Sequence, residues 1–205
     1  MTYYPFYMNI DNKKWLIVGG GTVAAGRFSR LLEFTDKITV MSPEISSDII
    51  NKAGGTVRLI KSEYEPSVLK DADICLAATS DHLLNRKIAM DCRKEHILVN
   101  ASDDPKFCDF IFPAVLKKGN LTVSVSTGGS SPRFASLLRD RISDIIPGDT
   151  EEILDKMMEI RTILNNDRLE SDERRIVIKN ALDILIAENG EPSIEDVLLR
   201  SGYNL

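Results

Sequence analysis

The chain is poor in the residues that build metal centres and disulfide frameworks. Its 205 residues include only three cysteines and two histidines. The cysteines, Cys75, Cys92 and Cys108, are odd in number and lack metal-ligand spacing, which argues against structural zinc and against disulfides. Two histidines cannot form a multi-histidine metal site within one subunit. The sequence therefore predicts no metal-ligating residues and three buried or neutral thiols.

Long apolar segments are missing as well. No stretch is long enough to cross a bilayer, and residues 1–6 lack the basic region and the apolar core of a signal peptide. An aromatic-basic motif for nucleic acid is also missing, and the formal net charge is −5. We therefore expect a cytoplasmic protein that contacts neither a membrane nor a nucleic acid.

Acidic residues are concentrated near the end of the chain. Residues 1–147 contain 19 basic and 17 acidic side chains, whereas residues 148–205 contain 7 and 14. Within residues 106–141, six basic side chains outnumber two acidic ones. Such a stretch attracts an anion. A basic surface that only contacts solvent is the alternative interpretation.

A glycine turn between a strand and a helix is the most informative motif. Apolar residues 15–18 lead directly into Gly19-Gly20-Gly21-Thr22-Val23-Ala24. In a dinucleotide-binding loop, Gly19 permits the tight turn, Gly21 lets the backbone approach a pyrophosphate, and Ala24 lets the helix pack closely on the strand. The amides at the helix start, at Thr22 and Val23, favour an anion. The same motif also occurs in βα turns that are glycine-rich for steric reasons alone. The rest of the sequence therefore has to show whether this turn binds a cofactor.

Strand-like and helix-like patterns alternate over the first hundred residues. We predict strands at 15–18, 38–41, 57–60, 74–78 and 97–100, and helices at 23–33, 45–53 and 83–95. Such alternation is typical of βαβ units. The sequence therefore predicts an α/β protein with a Rossmann-like parallel sheet.

The pattern changes after residue 109. Residues 110–116 and 121–126 predict an antiparallel hairpin with Gly119-Asn120 at its turn, and Ser130 or Ser131 caps the helix that Pro132 begins. Beyond Pro147-Gly148-Asp149 the composition is helical, with two apolar stripes. The stripes are Ile153, Met157, Ile160 and Leu164, and Ile178, Leu182 and Leu185. We expect an NAD-binding Rossmann domain at 1–112, a dimerisation region of hairpin and helix at 113–147, and a small helical C-terminal domain at 148–205.

The residues that follow the second and fourth strands bear on the cofactor. An acid at the tip of the second strand usually binds the ribose diol of NAD, and a basic residue there binds the 2′-phosphate of NADP. Here Met41 is followed by Ser42-Pro43-Glu44, with no basic residue close by, which favours NAD. After the fourth strand, Thr79 is a candidate contact of the nicotinamide or its ribose. The run Thr79-Ser80-Asp81 is alternatively a helix cap.

Two adjacent carboxylates, Asp103 and Asp104, follow the fifth strand at the same predicted edge of the sheet. Oxidation by hydride transfer usually requires a proton to leave as well, so one of them is a candidate proton acceptor. Two aspartates before Pro105 are alternatively ordinary turn residues.

A loop of small residues, 124–131, leads into the helix at Pro132. Its hydroxyls and amides together with a basic residue are suited to bind carboxylates of a substrate. The candidate residues are Thr127, Gly128, Ser130 and Arg133. The alternative is a linker between hairpin and helix.

Taken in order, these segments resemble the dehydrogenase–ferrochelatase part of siroheme synthase, which is the precorrin-2 dehydrogenase family. The resemblance covers residues 4–147. It rests on Pro5, residues 15–24, Ala77-Ala78-Thr79, Asn85, Val99-Asn100, Asp103-Asp104, Phe110-Ile111-Phe112-Pro113 and residues 126–132. Residues 148–205 are similar to the family in composition only. No uroporphyrinogen methyltransferase segment follows, so we expect a free-standing version.

The resemblance implies NAD-dependent oxidation of precorrin-2 to sirohydrochlorin, in some members followed by insertion of ferrous iron. It matches Asp103 to the essential aspartate of the family and implies a homodimer through the hairpin and the following helices. The substrate is rich in carboxylates, which fits the basic stretch 106–141. The main departure is Thr127, where relatives often have serine. The alternatives are a bifunctional dehydrogenase and ferrochelatase, and an NAD-binding redox sensor without catalysis, against which the acidic C-terminal helices argue.

Overall fold

The computed structural model describes residues 2–167 and 169–203. The chain divides into two compact units, Met1–Phe112 and Pro113–Leu205. Within the described part, no helix is long and apolar enough to span a membrane.

The first unit is a parallel five-stranded sheet with helices on it. Its strands are β1 (Trp15–Val18), β2 (Ile38–Met41), β3 (Arg58–Ile60), β4 (Ile74–Ala77) and β5 (Leu98–Ala101). Its helices are α1 (Thr22–Leu31), α2 (Ser47–Lys52) and α3 (His82–Lys94), with two 3₁₀ helices at Pro66–Asp71 and Pro105–Phe107. The strand order is β3-β2-β1-β4-β5. The predicted Rossmann-like α/β fold is confirmed.

The strand register decides where a ligand can bind. Val18, the last residue of β1, is paired with Met41 of β2 and with Ala77 of β4, and Ala77 is paired with Ala101 of β5. Four strands therefore end at one level, and the loops after them share one edge of the sheet. Strand order reverses beside β1, and this carboxyl edge is where open α/β sheets bind ligands.

Apolar residues on both faces of the sheet bury it. All four residues of β1 and of β4 are buried, as expected for strands covered on two sides. Ile17 and Leu76 pack with Phe28 of α1 on one face, whereas Cys75 packs with Ile88 of α3 on the other. The predicted strand 110–116 is wrong at its start. Phe110 and Phe112 lie before the hairpin and form an aromatic cluster with Trp15, with ring centroids 6.1 and 6.3 Å from it.

Over its described residues, 113–167 and 169–203, the second unit contains a hairpin and four helices. The strands β6 (Ala114–Lys118) and β7 (Leu121–Val125) are antiparallel, and Lys118 is paired with Leu121. The loop is therefore Gly119-Asn120, and Gly119 has a φ of +54°, which glycine adopts without strain. The helices are α4 (Pro132–Ile145), α5 (Thr150–Asn166), α6 (Ser171–Ala187) and α7 (Ile194–Arg200).

The helices α5, α6 and α7 have their own apolar core. The stripe predicted on α5 is confirmed, since Ile153, Met157, Ile160 and Leu164 are buried. The stripe predicted on α6 is partly wrong. Its buried residues are Val177, Ala181 and Leu185, while Leu182 is exposed. The small side chain of Ala181 faces the neighbouring helices, and a pattern of large apolar residues does not detect it.

Candidate functional site: the carboxyl edge of the sheet

The first glycine of the turn lies between the ends of β2 and β4. Gly19 has a φ of +121°, and its amide donates to the carbonyl of Met41 at 2.9 Å. A Cβ atom on this residue would lie 2.3 Å from the carbonyl oxygen of Ala78. Both the backbone conformation and the space therefore require glycine.

The second glycine holds the loop after β2 against the turn. A Cβ atom on Gly20 would lie 2.0 Å from the carbonyl oxygen of Glu44, and the Gly20 carbonyl accepts from the amide of Ser46 at 3.0 Å. Sequence reasoning assigned no role to Gly20. Three glycines in a row do not show which of them packs against a distant loop.

The third glycine opens the helix and faces free space. Gly21 is the N-cap of α1, and within the described residues no side chain caps this helix and no acidic residue lies in its first turn. A Cβ atom on Gly21 would meet no described atom within 4 Å. Thr22 and Val23 are exposed. Uncapped amides at the positive end of a helix bind an anion, which fits a pyrophosphate.

Ser42 and Pro43 directly follow β2 at the same edge. The amide of Ser42 donates to the carbonyl of Ile60 at 3.0 Å, which ties the tip of β2 to the end of β3. Ser42 is half-buried and Pro43 is exposed. Their place beside the glycine turn is suited to the adenosine ribose. These contacts remain predictions.

Thr79, which follows β4, and Asn85 are joined by several hydrogen bonds. The Asn85 amide oxygen accepts from the Thr79 amide at 3.0 Å and lies 2.8 Å from the Thr79 hydroxyl, while its nitrogen donates to the Thr79 carbonyl at 3.1 Å. The side chain that caps α3 is that of Asp81, which accepts from the amides of Leu83 and Leu84. The contact of Thr79 with the cofactor remains a prediction. Its hydroxyl already contacts Asn85.

Asp103 is held by two side chains from the first turn of α3. One carboxylate oxygen accepts from the Asn85 side-chain amide at 3.1 Å, and the other is paired with Nδ1 of His82. Asn85 is buried, with 1% of its surface exposed. The side chain of Asp103 is 18% exposed, whereas that of His82 is 75% exposed. The imidazole is therefore the most accessible part of this network.

The neighbouring carboxylate has different partners. Asp104 accepts from the guanidinium of Arg86 at 3.1 Å and from the amide of Lys106 at 3.1 Å. It thereby caps the 3₁₀ helix that begins at Pro105. The alternative interpretation, in which the aspartates before Pro105 are ordinary turn residues, therefore applies to Asp104.

Sequence reasoning assigned no role to His82 or Asn85. A signal was present, because His82, Asn85 and Arg86 have the spacing i, i+3, i+4 and share one face of α3. All three contact the aspartates after β5. Finding them required the order β4-β5, which brings residue 103 beside residue 82.

Cys108 ends the 3₁₀ helix that follows the aspartates and is a free thiol. Burial raises its pKa, a backbone hydrogen bond with Ala101 opposes this rise, and the carboxylates of Asp104, Asp109 and Asp103 raise the pKa further. Separately, its sulfur donates to the carbonyl of Ala101 at 3.1 Å. A protonated thiol is a poor nucleophile and a poor metal ligand. In the described part of the chain, no group of three or more His, Cys, Asp or Glu side chains could hold a metal ion.

The loop before α4 contains the four residues predicted to bind a substrate. The amide of Ser131 donates to the hydroxyl of Thr127 at 3.0 Å, and Ser131 caps α4 by accepting from Phe134. Gly128 has a φ of +61°. Ser130 and Arg133 are exposed. The loop is therefore a hydrogen-bonded turn and not an unstructured linker, and its role in binding remains a prediction.

A family model described as "Putative NAD(P)-binding" matches residues 6–114, which include the glycine turn and both aspartates. The chain belongs to this NAD(P)-binding family. A second model, described as "Sirohaem biosynthesis protein central", matches residues 118–145. The predicted nicotinamide dinucleotide cofactor and the predicted resemblance are confirmed at this level.

Individual relatives of this NAD(P)-binding chain are siroheme synthases. That of Nitrosomonas europaea is 33% identical over 190 residues, which cover 92% of this chain and 40% of the relative. That of Nitrosomonas eutropha is 36% identical over 149 residues, which cover 72% and 31%. The chain thus spans less than half the length of these curated relatives.

A solved structure has the same fold. "SirC, precorrin-2 dehydrogenase" superposes with a TM-score of 0.78 at 22% identity, over 97% of this chain and 98% of that one. At this identity, the likeness establishes the fold.

Proposed function

We propose that this protein oxidises precorrin-2 to sirohydrochlorin with NAD, as a step of siroheme biosynthesis. The observation that carries the proposal is that Asp103 lies at the carboxyl edge of the sheet whose first strand opens into the glycine turn. This edge combines a site for a dinucleotide with a group on which proton removal can depend. The siroheme synthase relatives supply the substrate class.

The cofactor, when bound, accepts a hydride from the substrate. Gly19 and Gly21 shape its pyrophosphate site, and the amides of Thr22 and Val23 bind the phosphates. Ser42 and Pro43 line the adenosine ribose, and Thr79 lies at the nicotinamide end. Proton removal from the substrate depends on Asp103. The absence of a basic residue from Met41 to Ser46 supports NAD over NADP.

The second unit binds the carboxylates of the tetrapyrrole. Thr127, Gly128 and Ser130 offer hydroxyls and amides at the N-terminus of α4, and Arg133 adds a positive charge in its first turn. We also propose that the protein is a homodimer through the hairpin and α4, supported by the exposed apolar side chains of that helix. A cytoplasmic location is supported by its three free cysteines, all within the described residues.

The test is direct conversion of the substrate. Purified protein is incubated with precorrin-2 and NAD, NADP or neither, and the absorbance of sirohydrochlorin and of the reduced cofactor is followed. NAD-dependent formation of both products in equal amounts is expected. No conversion, or binding of NAD without turnover, would instead favour the redox sensor. A parallel incubation with ferrous iron distinguishes a dehydrogenase from a bifunctional enzyme that also forms siroheme.

A further inference from the structure

Both oxygens of Asp103 already have partners in the protein. One accepts from the buried amide of Asn85, and the other is paired with Nδ1 of His82. We propose that His82 is the direct proton acceptor of the dehydrogenation, through its Nε2 atom, and that Asp103 holds the imidazole in place. The inference rests on the proposed function and names the residue that performs its proton transfer.

The pairing fixes the tautomer of the ring. A carboxylate only accepts hydrogen bonds, so a neutral His82 that contacts Asp103 through Nδ1 carries its proton there. The lone pair is then on Nε2, at the far side of the ring. When Nε2 takes a proton, the carboxylate stabilises the imidazolium that forms, as in other Asp-His pairs.

The exposed fractions of the two side chains also favour His82 over Asp103 as the direct proton acceptor. The side chain of His82 is 75% exposed and that of Asp103 is 18% exposed. A substrate that reaches the sheet edge therefore meets the imidazole before the carboxylate. Histidine is also the side chain that most often transfers protons near neutral pH.

The network behind Asp103 is suited to a positioning role. Asn85 is 1% exposed, and the polar atoms of its side chain are all satisfied by Thr79 and Asp103. A buried network with every group satisfied is rigid. The neighbouring Asp104 is paired with Arg86 and with a backbone amide, so it does not compete for the imidazole.

The proposed step balances. The substrate loses two electrons with a hydride, which NAD accepts to give NADH. It also loses a proton, which passes to Nε2 of His82 to give an imidazolium, and the electron pair of the broken bond becomes part of the new double bond. Because His82 is exposed, the imidazolium then releases the proton to solvent.

The first test replaces His82 with alanine. His82→Ala should lower the turnover number by about 10²–10⁴-fold, the usual contribution of a general base, with NAD affinity and thermal midpoint unchanged. Added imidazole should restore part of the turnover. The control is the other histidine of the chain, His96, which is exposed after α3 with a φ of +57°. Asn tolerates this conformation, so His96→Asn should behave like the wild type.

The second test determines the tautomer of the His82 ring in the absence of substrate. Nitrogen-15 NMR of the two histidines reports which ring nitrogen carries the proton. His82 should have its proton on Nδ1 in the wild type and should lose this preference in Asp103→Ala, while the His96 signals stay unchanged.

The outcomes separate the two proposals. If the wild type converts precorrin-2 but His82→Ala retains turnover within about tenfold, or imidazole restores nothing, His82 is not the acceptor. A His82 ring with its proton on Nε2 in the wild type also overturns the role of Asp103 as its holder. If the wild type converts no precorrin-2, the proposed function fails and the proton-transfer role with it, whatever the tautomer.

Discussion

Asp103 and Asp104 are adjacent in the sequence, but their carboxylates have different partners. Asp103 is bound by Asn85 and His82, whereas Asp104 is bound by Arg86 and caps a 3₁₀ helix. We therefore propose that Asp103 serves the reaction and that Asp104 serves the structure of the loop.

This difference predicts unequal effects of the same substitution. Asp103→Asn removes the charge that stabilises the imidazolium and should lower turnover by about 10²–10⁴-fold, without weakening NAD binding. Asp104→Asn keeps the size and should lower turnover by less than about threefold, since the pair of Asp104 with the exposed Arg86 contributes little energy. Steady-state kinetics and calorimetric titration with NAD measure both. Equal losses in the two variants would contradict the assignment.

Arg133 carries the proposed contact with a substrate carboxylate. Such a contact forms in the ground state and in the transition state alike, so Arg133→Ala should raise KM and leave kcat nearly unchanged. A charge-assisted hydrogen bond contributes about 1.5–3 kcal/mol, which corresponds to roughly a ten- to hundredfold change in KM.

The matched control is Arg175, an exposed arginine of α6. Arg175→Ala removes the same charge and should leave KM unchanged. Rising salt should weaken substrate binding more in the wild type than in Arg133→Ala. An unaltered KM with equal salt dependence would place the tetrapyrrole elsewhere.

Among the structural elements, the glycine turn contains one glycine that packing requires and another that we propose for NAD binding. A Cβ atom on Gly20 would lie 2.0 Å from the carbonyl oxygen of Glu44, whereas a Cβ atom on Gly21 would point into free space. Gly20→Ala should therefore destabilise the fold by about 1–3 kcal/mol or more, the range of overpacking.

Gly21→Asp should leave the free energy of unfolding nearly unchanged and abolish NAD binding, because a carboxylate there repels the pyrophosphate. Chemical denaturation and calorimetric titration measure the two quantities. A folded Gly21→Asp variant with unchanged NAD affinity would disprove the location of the dinucleotide.

The start of α3 provides a second prediction for a structural element. Asp81 accepts from the amides of Leu83 at 2.8 Å and of Leu84 at 3.2 Å. Asp81→Ala should lower the free energy of unfolding by about 0.5–2 kcal/mol, the usual contribution of an N-cap. It should also reduce turnover, because His82 and Asn85 lie in the turn that the cap holds. Asp81→Ser retains a capping oxygen and should restore both. Full stability of Asp81→Ala would show that packing alone fixes this helix end.

The sequence predicts the elements that have strong local signals. The strand at 15–18 and the helix after it follow from an apolar run and a glycine turn, and Ser131 is one of the two caps expected for α4. Elements that depend on distant partners are not predictable in this way. From the sequence, Phe110 could either pair in a strand or pack on Trp15. Only the tertiary fold shows that it packs on Trp15.

The same limit applies to the candidate site. The glycines and Asp103 lie next to strand ends, a position that the sequence pattern itself indicates. His82 is a lone histidine at a helix start, and its pairing with Asp103 arises because β4 and β5 are neighbours. Gly20 is equally hidden, since its contact with Glu44 joins loops that are separate in the sequence.

For the molecule as a whole, the proposed dimer follows from how little of α4 is covered. Of its described residues, only Ala135 is buried, while Phe134, Leu137 and Ile145 are exposed. A stripe of exposed apolar side chains is typical of an interface. Dimerisation would bury this stripe, so the stability of the protein should rise with its concentration.

This reasoning predicts that one charge on α4 separates the subunits. Leu137 is 43% exposed, and Leu137→Glu would place a carboxylate in the interface, where an unpaired charge is strongly unfavourable. Sedimentation velocity should show a dimer for the wild type and a monomer for this variant, whose thermal midpoint should no longer depend on concentration. Leu199 of α7, 63% exposed, is the control, and Leu199→Glu should remain dimeric. A wild type that is monomeric at all concentrations, or a control that dissociates equally, would exclude α4 as the interface.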